Sequence, residues 1–426
     1  MHLCYPKGML RLLQIIAAFT TLGLAGVPPQ SAAQDVPEPL ALMAQIEALE
    51  KQQKYADALP LVERLAAVAP SSLGTLSDAH AATLTRIGNL LYGNGRYRES
   101  EPFLRSALVI RERAISSPNS ESVRVELAWS HNRLGNTLDA LGRYEEAIAS
   151  YRSMIATMEA ARGSDHPDVS LGLGNLGRTL RRQGHPEAGE EYLRRALAIR
   201  EKAFGPDHLN IVWTLVELSD ALYASERYSK AESFQRRVLA IREKALGPKH
   251  ADVAWAHNKL GSTLSKLGRR DEAIEQFQKM ASIMEAARGT EHDDVGLGLG
   301  NVGWALNNAG RHGEAIAPLR RALAIRERAL GPEHKDLPWL LDRLSDALFA
   351  TGAYAESEAV RRRAVAILSK TQSPPSSEAI PFIETGMHTA RMRMAVDASC
   401  QFAVTGSDDK TVRLWACRVM LQAPPR

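Results

Sequence analysis

Hydrophobic positions along the chain recur on two scales, first at helical spacing and then every 42 residues. Leu42, Ile46 and Leu49, followed by Ala58, Leu61, Val62 and Leu65, fall three or four apart. That spacing predicts helix over 40–69, divided in two at Lys54-Tyr55. Residues 70–77 are a break. Beyond them an apolar residue followed by a small one marks a packing position: Ile87-Gly88, Leu134-Gly135, Leu176-Gly177, Leu218-Ser219, Leu260-Gly261, Val302-Gly303 and Leu344-Ser345. The intervals are 47 and then five of 42, with the five extra residues near 116–125. Twelve residues after each comes a second small residue: Ser100, Ala147, Gly189, Ala231, Ala273, Ala315 and Ser357. Paired small residues let two helices, A and B, approach closely, where bulk would splay them. Between the two lies a short turn such as Gly142-Arg143-Tyr144 or Gly268-Arg269-Arg270, with Gly suited to the left-handed position that ends helix A. Helix B is amphipathic, as in 188–204, where Tyr192, Leu193, Ala196, Leu197 and Ile199 form the apolar side. Gly205, Gly247 or Gly331, each followed by Pro, ends it, and Asp168, Asp252, Asp294 or Asp336 is placed to cap the next helix A.

The 42-residue unit is overlaid by a longer one. Residues 154–177 return almost unchanged at 280–303, an offset of 126, which is three units. Self-similarity at this period predicts a helical solenoid. The small-residue positions and the linkers GSDH, GPDH, GPKH, GTEH and GPEH resemble tetratricopeptide repeats of the 42-residue, kinesin-light-chain type. The resemblance covers about 77–370, with a weaker capping repeat before it. It implies an all-α, right-handed superhelical solenoid of about eight helix-turn-helix repeats over 40–370.

After a Pro/Ser linker at 371–386 the period changes to two, as Met392, Met394 and Val396, then Phe402 and Val404, then Val412 and Leu414 alternate. Residues 387–415 resemble one WD-repeat propeller blade, with His388, Ser407, Asp409 and Trp415 matching that family's hydrogen-bonding set. Cys400 departs from the Gly usual there. The expectation is a short C-terminal β segment, an incomplete domain, because a propeller closes only with several blades; an unstructured tail at 416–426 follows.

Composition narrows the function. Charged residues are 24% and hydrophobic residues 45%, ordinary for a soluble protein. A net charge of +4 on 426 residues argues for neither nucleic acid nor an anionic membrane. Cys4, Cys400 and Cys417 have no metal-ligand spacing. At the N-terminus Lys7 and Arg11 precede an apolar run at 12–27, and Ser31-Ala32-Ala33 offers small residues for cleavage before Gln34. A cleaved export signal at 1–33 is expected; the alternative, an anchor, meets a run shorter than the ~20 residues a span requires. The mature chain is then periplasmic or secreted, with no membrane association.

Candidate chemistry is sparse. Gly172-x-Gly174-x-x-Gly177 and Gly298-x-Gly300-x-x-Gly303 match a dinucleotide fingerprint in letters. That mechanism needs a strand before the glycines, and here a helix and a turn precede them, so no cofactor is expected. His166, His208, His250, His292 and His334 recur every 42 residues. Neighbouring repeats sit about 10 Å apart, too far to share an ion, so linker capping is the reading and no metal is expected. The Arg doublets Arg194-Arg195, Arg236-Arg237 and Arg320-Arg321, and Arg361 to Arg363, lie on helix B among glutamates, a solvated outer face. No catalytic constellation stands out, so no enzyme activity is expected.

The informative register is on helix A. Six residues before the packing position stand Trp129, Leu171, Trp213, Trp255, Leu297 and Trp339, four of the six tryptophans in the chain. Two readings stay open: packing between repeats, or anchors lining a groove. Polar residues vary beside them: Asn132, Asn136, Asp139, Asn175, Arg178, Arg181, Asn258, Lys266, Asn301 and Asn307, with Tyr223 and Trp304 in the same face. Asn132, Asn175, Asn258 and Asn301 match asparagines that, by the kinesin-light-chain resemblance, grip peptide backbone; each repeat here carries one of that family's pair. The function expected is a non-enzymatic scaffold that takes a protein or peptide partner in the helix-A groove. The alternative is a regulatory or targeting portion of an enzyme system whose catalytic part lies elsewhere.

Overall fold

Small residues facing large ones build every hairpin of the array. The structure, a computed structural model, describes residues 38–52, scattered positions within 54–65, residues 78–114 and 121–371, and three short segments at 395–396, 402–406 and 412–416. The chain divides into two units, Met1–Ala287 and Arg288–Arg426. In the first run α1 (Glu38–Lys51), α2 (Asp78–Gly93), α3 (Tyr97–Ala114), α4 (Glu121–Ala140), α5 (Tyr144–Arg162), α6 (Pro167–Arg182), α7 (Pro186–Phe204), α8 (Val212–Ala224), α9 (Tyr228–Leu246), α10 (Ala251–Lys266) and all but the last residue of α11 (Arg270–Arg288). The second holds α12 (Asp293–Asn308), α13 (His312–Leu330), α14 (Pro338–Ala350) and α15 (Tyr354–Thr371). Even-numbered helices from α2 onward are A helices, and each pairs with the B helix that follows it.

Within a hairpin, the small residue of helix A is the hole and a large residue of helix B the knob. A Cβ on Gly88 would lie 2.6 Å from Leu104, on Gly135 2.7 Å from Tyr151, on Gly177 2.6 Å from Leu193, and on Gly261 2.9 Å from Phe277. In the second unit Gly303 receives Leu319 in the same way. Gly177 and Gly189 touch through backbone, since a Cβ on Gly189 would sit 2.5 Å from the Gly177 carbonyl oxygen. Neither backbone can yield as a side chain could, so no larger residue fits. Leu173, Leu176 and Leu193 are fully buried here, and each contributes about 1.5–3 kcal/mol. Outside, B helices are laced by ion pairs one repeat apart, such as Arg143–Glu101 and Arg269–Glu232, both at 2.7 Å. Exposed pairs contribute only ~0–1 kcal/mol each, so burial rather than charge holds the stack.

The turns follow the expected chemistry with one departure. Gly95, Gly142, Gly184 and Gly268 take φ between 73° and 96° at the end of helix A. The fourth hairpin has Glu226 there instead, at φ 57°, the one non-glycine with positive φ among the described residues. A side chain in that region costs about 1 kcal/mol.

Two expectations need correction. Asp168, Asp252, Asp294 and Asp336 do not cap the A helices. At α6, α10 and α12 the N-cap is the histidine two residues earlier, whose Nδ1 accepts the backbone N–H of Asp168, Asp252 or Asp294 at 3.1–3.2 Å. His208 caps the 3-10 turn Leu209–Ile211 ahead of α8 in the same way, and His334 accepts the Asp336 N–H at 3.3 Å ahead of α14, whose own N-cap is Leu337. A ring nitrogen reaches the free N–H that an aspartate one turn inside the helix cannot. The capping role read for the recurring histidines is thereby borne out.

The second correction concerns the C-terminus. A propeller blade is a four-stranded sheet. The described residues beyond α15 are three segments of two, five and five residues (Ala395–Val396, Phe402–Gly406, Val412–Ala416), paired antiparallel in chain order. They hold no fourth strand and no blade is assigned to them; the fold class is all-α. His388, Ser407 and Asp409, most of the 371–386 linker, residues 116–120 of the 116–125 stretch near which the five extra residues fall, the 1–33 segment and the 416–426 tail (apart from Ala416) lie outside the described residues.

Candidate partner-binding face

The A helices of the first unit lie side by side, so one residue register on α4 meets a neighbouring register on α6, and so on to α10. The contacts read as a ladder. Asn175 Nδ2 donates to Asn132 Oδ1 at 2.9 Å. Asp139, 3% exposed, accepts the Thr179 hydroxyl at 3.0 Å, is bonded by Arg182 and has Arg178 at 3.8 Å. Arg181 pairs with Glu217 at 3.1 Å, and the Arg178 guanidinium lies 5.9 Å from the Trp213 ring centre. Lys259 donates to both oxygens of Asp220, at 2.6 and 2.8 Å. Tyr151 donates to Asn136 at 2.8 Å, and burial pushes the Tyr151 phenol well above its ordinary pKa. The expected residues Asn132, Asp139, Asn175, Arg178, Arg181 and Trp213 are thus brought together.

The tryptophan register has a packing role that the sequence left open. The six-membered ring of Trp213 sits over Gly174, where a Cβ would be 2.6 Å from Cη2. This accounts for the second glycine of the fingerprint. The first, Gly172, is pressed by Ile155, whose Cγ1 would be 2.8 Å from a Cβ, and the third receives Leu193. All three are buried within α6, each against a different neighbour, and none faces space a pyrophosphate could fill. Trp129 is half-buried against the core around Tyr151 and Met154; Trp255 is half-buried on α10. Tyr223 makes an edge-on pair with Tyr228, ring centres 5.1 Å apart. Ser262 donates to the Asn258 carbonyl oxygen at 3.0 Å, and Lys266 is exposed at the end of α10.

In the second unit Trp339 covers Gly300, its Cζ3 2.9 Å from where a Cβ would be. Asn307 donates to the Arg343 carbonyl oxygen at 2.9 Å, and Asn301 and Trp304 are half-buried on α12. Sequence reasoning missed Thr179, Arg182, Glu217, Asp220 and Lys259. A signal for them existed: opposite charges 36–43 residues apart, as in Asp139/Arg182 and Asp220/Lys259. The Arg doublets are paired as expected for a solvated face, Arg194 with Glu190, Arg195 with Glu159, Arg236 with Glu232 and Arg237 with Glu201. Among the described residues no group of three or more His, Cys, Asp or Glu could hold a metal ion, and no helix is long and apolar enough to cross a membrane.

Hairpins of this geometry at a 42-residue period define a helical-repeat protein. The chain belongs to the tetratricopeptide repeat family, whose profiles match residues 126–198, 185–244, 226–286, 252–328 and 297–370, with a further match at 80–120. The matches stop at 370, and nothing there supports the WD-repeat resemblance. No curated protein matches the chain. Among solved structures it is similar to the apo form of the quorum sensor NprR from B. thuringiensis, at 11% identity, TM-score 0.59, covering 85% of this chain and 94% of that one. It is also similar to BtubC (BKLC) from P. vanneervenii, at 20% identity and TM-score 0.47 over 57% and 98% of the two chains. Nearly identical TPR-like repeats described as those of a kinesin light chain from Podosopora anserina match at 24% identity and TM-score 0.44, over 49% and 99%.

Proposed function

We propose that this protein is an exported, non-enzymatic scaffold that binds a peptide segment of a protein partner along the A helices α4 to α10. The observation that carries the reading is the half-buried state of Trp129 and Trp213 on α4 and α8, the A helices that carry and follow the Asn132–Asn175 amide pair, with Trp255 half-buried further along on α10. The rings of Trp129 and Trp213 are fixed by packing yet keep part of their surface free, and rigid aromatics of this kind are favoured anchors. Amides beside them can donate to and accept from an extended backbone. The tetratricopeptide-repeat fold supports a binding role over bond chemistry, and the apolar run with Ser31-Ala32-Ala33 supports export.

The test is capture of partners from the exported fraction by the tagged mature chain. One variant combines Trp129→Leu, Trp255→Leu and Lys266→Glu. Leu is the residue that Leu171 and Leu297 already place at this register, so the fold is kept. Capture at least tenfold weaker, at a melting temperature within a few degrees of the parent, is expected. Arg152→Glu on exposed α5 is the control and leaves capture unchanged. Equal capture by the triple variant rejects the face.

A further inference from the structure

In the fourth hairpin each helix is well held by its own layer and poorly held by its partner. α8 is seated among the A helices by Trp213 over Gly174, by Glu217 on Arg181 at 3.1 Å and by Asp220 on Lys259 at 2.6 Å. α9 is paired among the B helices, Arg227 with Glu190 on α7, and Glu232 with Arg269 at the start of α11 at 2.7 Å. In a solenoid each repeat contacts only its neighbours, so the coupling of the two layers is set hairpin by hairpin.

Elsewhere in the first unit that coupling is a knob in a hole: Leu104 on Gly88, Tyr151 on Gly135, Leu193 on Gly177 and Phe277 on Gly261. Ser219 and Gln235 hold these places in the fourth hairpin, and they do not bond. The Ser219 hydroxyl turns into its own helix and donates to the Val216 carbonyl oxygen at 2.8 Å, while the Oε1 of buried Gln235 has no partner. A cavity of about 10 Å³ lies at this contact, lined also by Val216 and Val238. Thr214, fully buried on α8, leaves its hydroxyl unpartnered as well. The turn that joins the two helices is the strained one, with Glu226 at φ 57°. α8 has 13 residues, against 16 in each of α6 and α10. A void forfeits contacts, and an unsatisfied polar group fixes no single arrangement, so alternative packings lie close in energy. In the second unit, 126 residues on, Ser345 stands where Ser219 does, but its hydroxyl is taken by Ser357 at 2.9 Å.

We propose that the fourth hairpin is a shear point, at which α8 moves with its A-helix neighbours and slides along α9, changing the curvature of the A-helix face within the first unit. Packed helices slide in small steps where the side chains between them have more than one arrangement. Gln235, beside a void and with its Oε1 unpartnered, has that freedom; Tyr151, Leu193 and Phe277, each seated on a glycine, do not. α8 lies within the face proposed to bind a partner, so the sliding adjusts that face to its occupant. This consequence rests on the binding reading; the sliding itself does not, and it is tested without a partner.

Spin labels on the full chain, with Cys4, Cys400 and Cys417 changed to Ser, measure the motion. One pair is Ala224→Cys on α8 with Ala240→Cys on α9; the reference pair, at the equivalent exposed positions 42 residues on, is Lys266→Cys on α10 with Ser282→Cys on α11. Pulsed electron paramagnetic resonance should give a distance distribution about twice as wide, or wider, for the α8/α9 pair as for the α10/α11 pair. Adding Ser219→Gly with Gln235→Leu, which copies the Gly177/Leu193 contact, should narrow the α8/α9 distribution to the reference width. Equal widths for the two pairs overturn the inference, and this comparison needs no core substitution, so it decides even where the double variant does not fold. An α8/α9 width that a folded double variant leaves unchanged overturns it too.

Discussion

Glycines and one aspartate carry the most information at the scale of residues. Gly172, Gly174 and Gly177 are each blocked by a different neighbour, Ile155, Trp213 and Leu193. The letters were legible, and so was their helical setting. Which neighbour required each glycine was not, because those neighbours lie 16 to 39 residues away in sequence. Asp342 supports a prediction on pH. Its pKa is raised to about 6 by burial, above the ordinary carboxylate value. The folded chain therefore binds more protons than the unfolded one between about pH 4 and 6, and stability contributed by this group falls as pH rises through that window. Asp342→Asn removes the penalty of ionisation. Thermal melts at pH 7 should show the variant more stable by about 1–2 kcal/mol, the order set by a shift of this size. At about pH 2.5, below the unfolded-state value, both states are protonated and the two proteins should melt together; an equal gain at both pH values contradicts the assignment.

At the scale of elements, helices, turns and the A/B pairing were readable because hairpins rest on local periodicity and on small residues at fixed offsets. The N-caps were misread because aspartate is the commoner cap, and the sequence does not reveal that a histidine ring reaches the free N–H first. The fourth hairpin is the element in which local choices agree least. Ser219 stands where a neighbouring repeat has Gly, and Gln235 where the neighbours have Tyr151, Leu193 or Phe277. Gln235 is 4% exposed, its Oε1 has no partner, and it lines a cavity of about 10 Å³ with Ser219, Val216 and Val238. An unpaired buried acceptor costs about 1–3 kcal/mol. Combining Ser219→Gly with Gln235→Leu copies the Gly177/Leu193 pair, and the melting temperature should rise by several degrees. An unchanged or lower value in denaturation experiments would mean that the polar pair is satisfied in a way the geometry does not reveal.

For the whole molecule, the period of 42 fixed the architecture, and the family match bears out the tetratricopeptide reading over 126–370. The propeller-blade reading failed because alternation of apolar residues reports strand tendency, not the count of strands a blade requires. The partner was not legible for a physical reason: most polar residues of the A-helix face also hold the next helix, so pattern alone does not separate packing from recognition. Binding along α4 to α10 is the central claim, and a photo-crosslinking amino acid tests it at a single position. Placed at Lys266, exposed on the A-helix face, it should trap a partner on illumination in the exported fraction; placed at Arg152 on α5, it should trap none. Adducts at Arg152 with none at Lys266 would contradict the account.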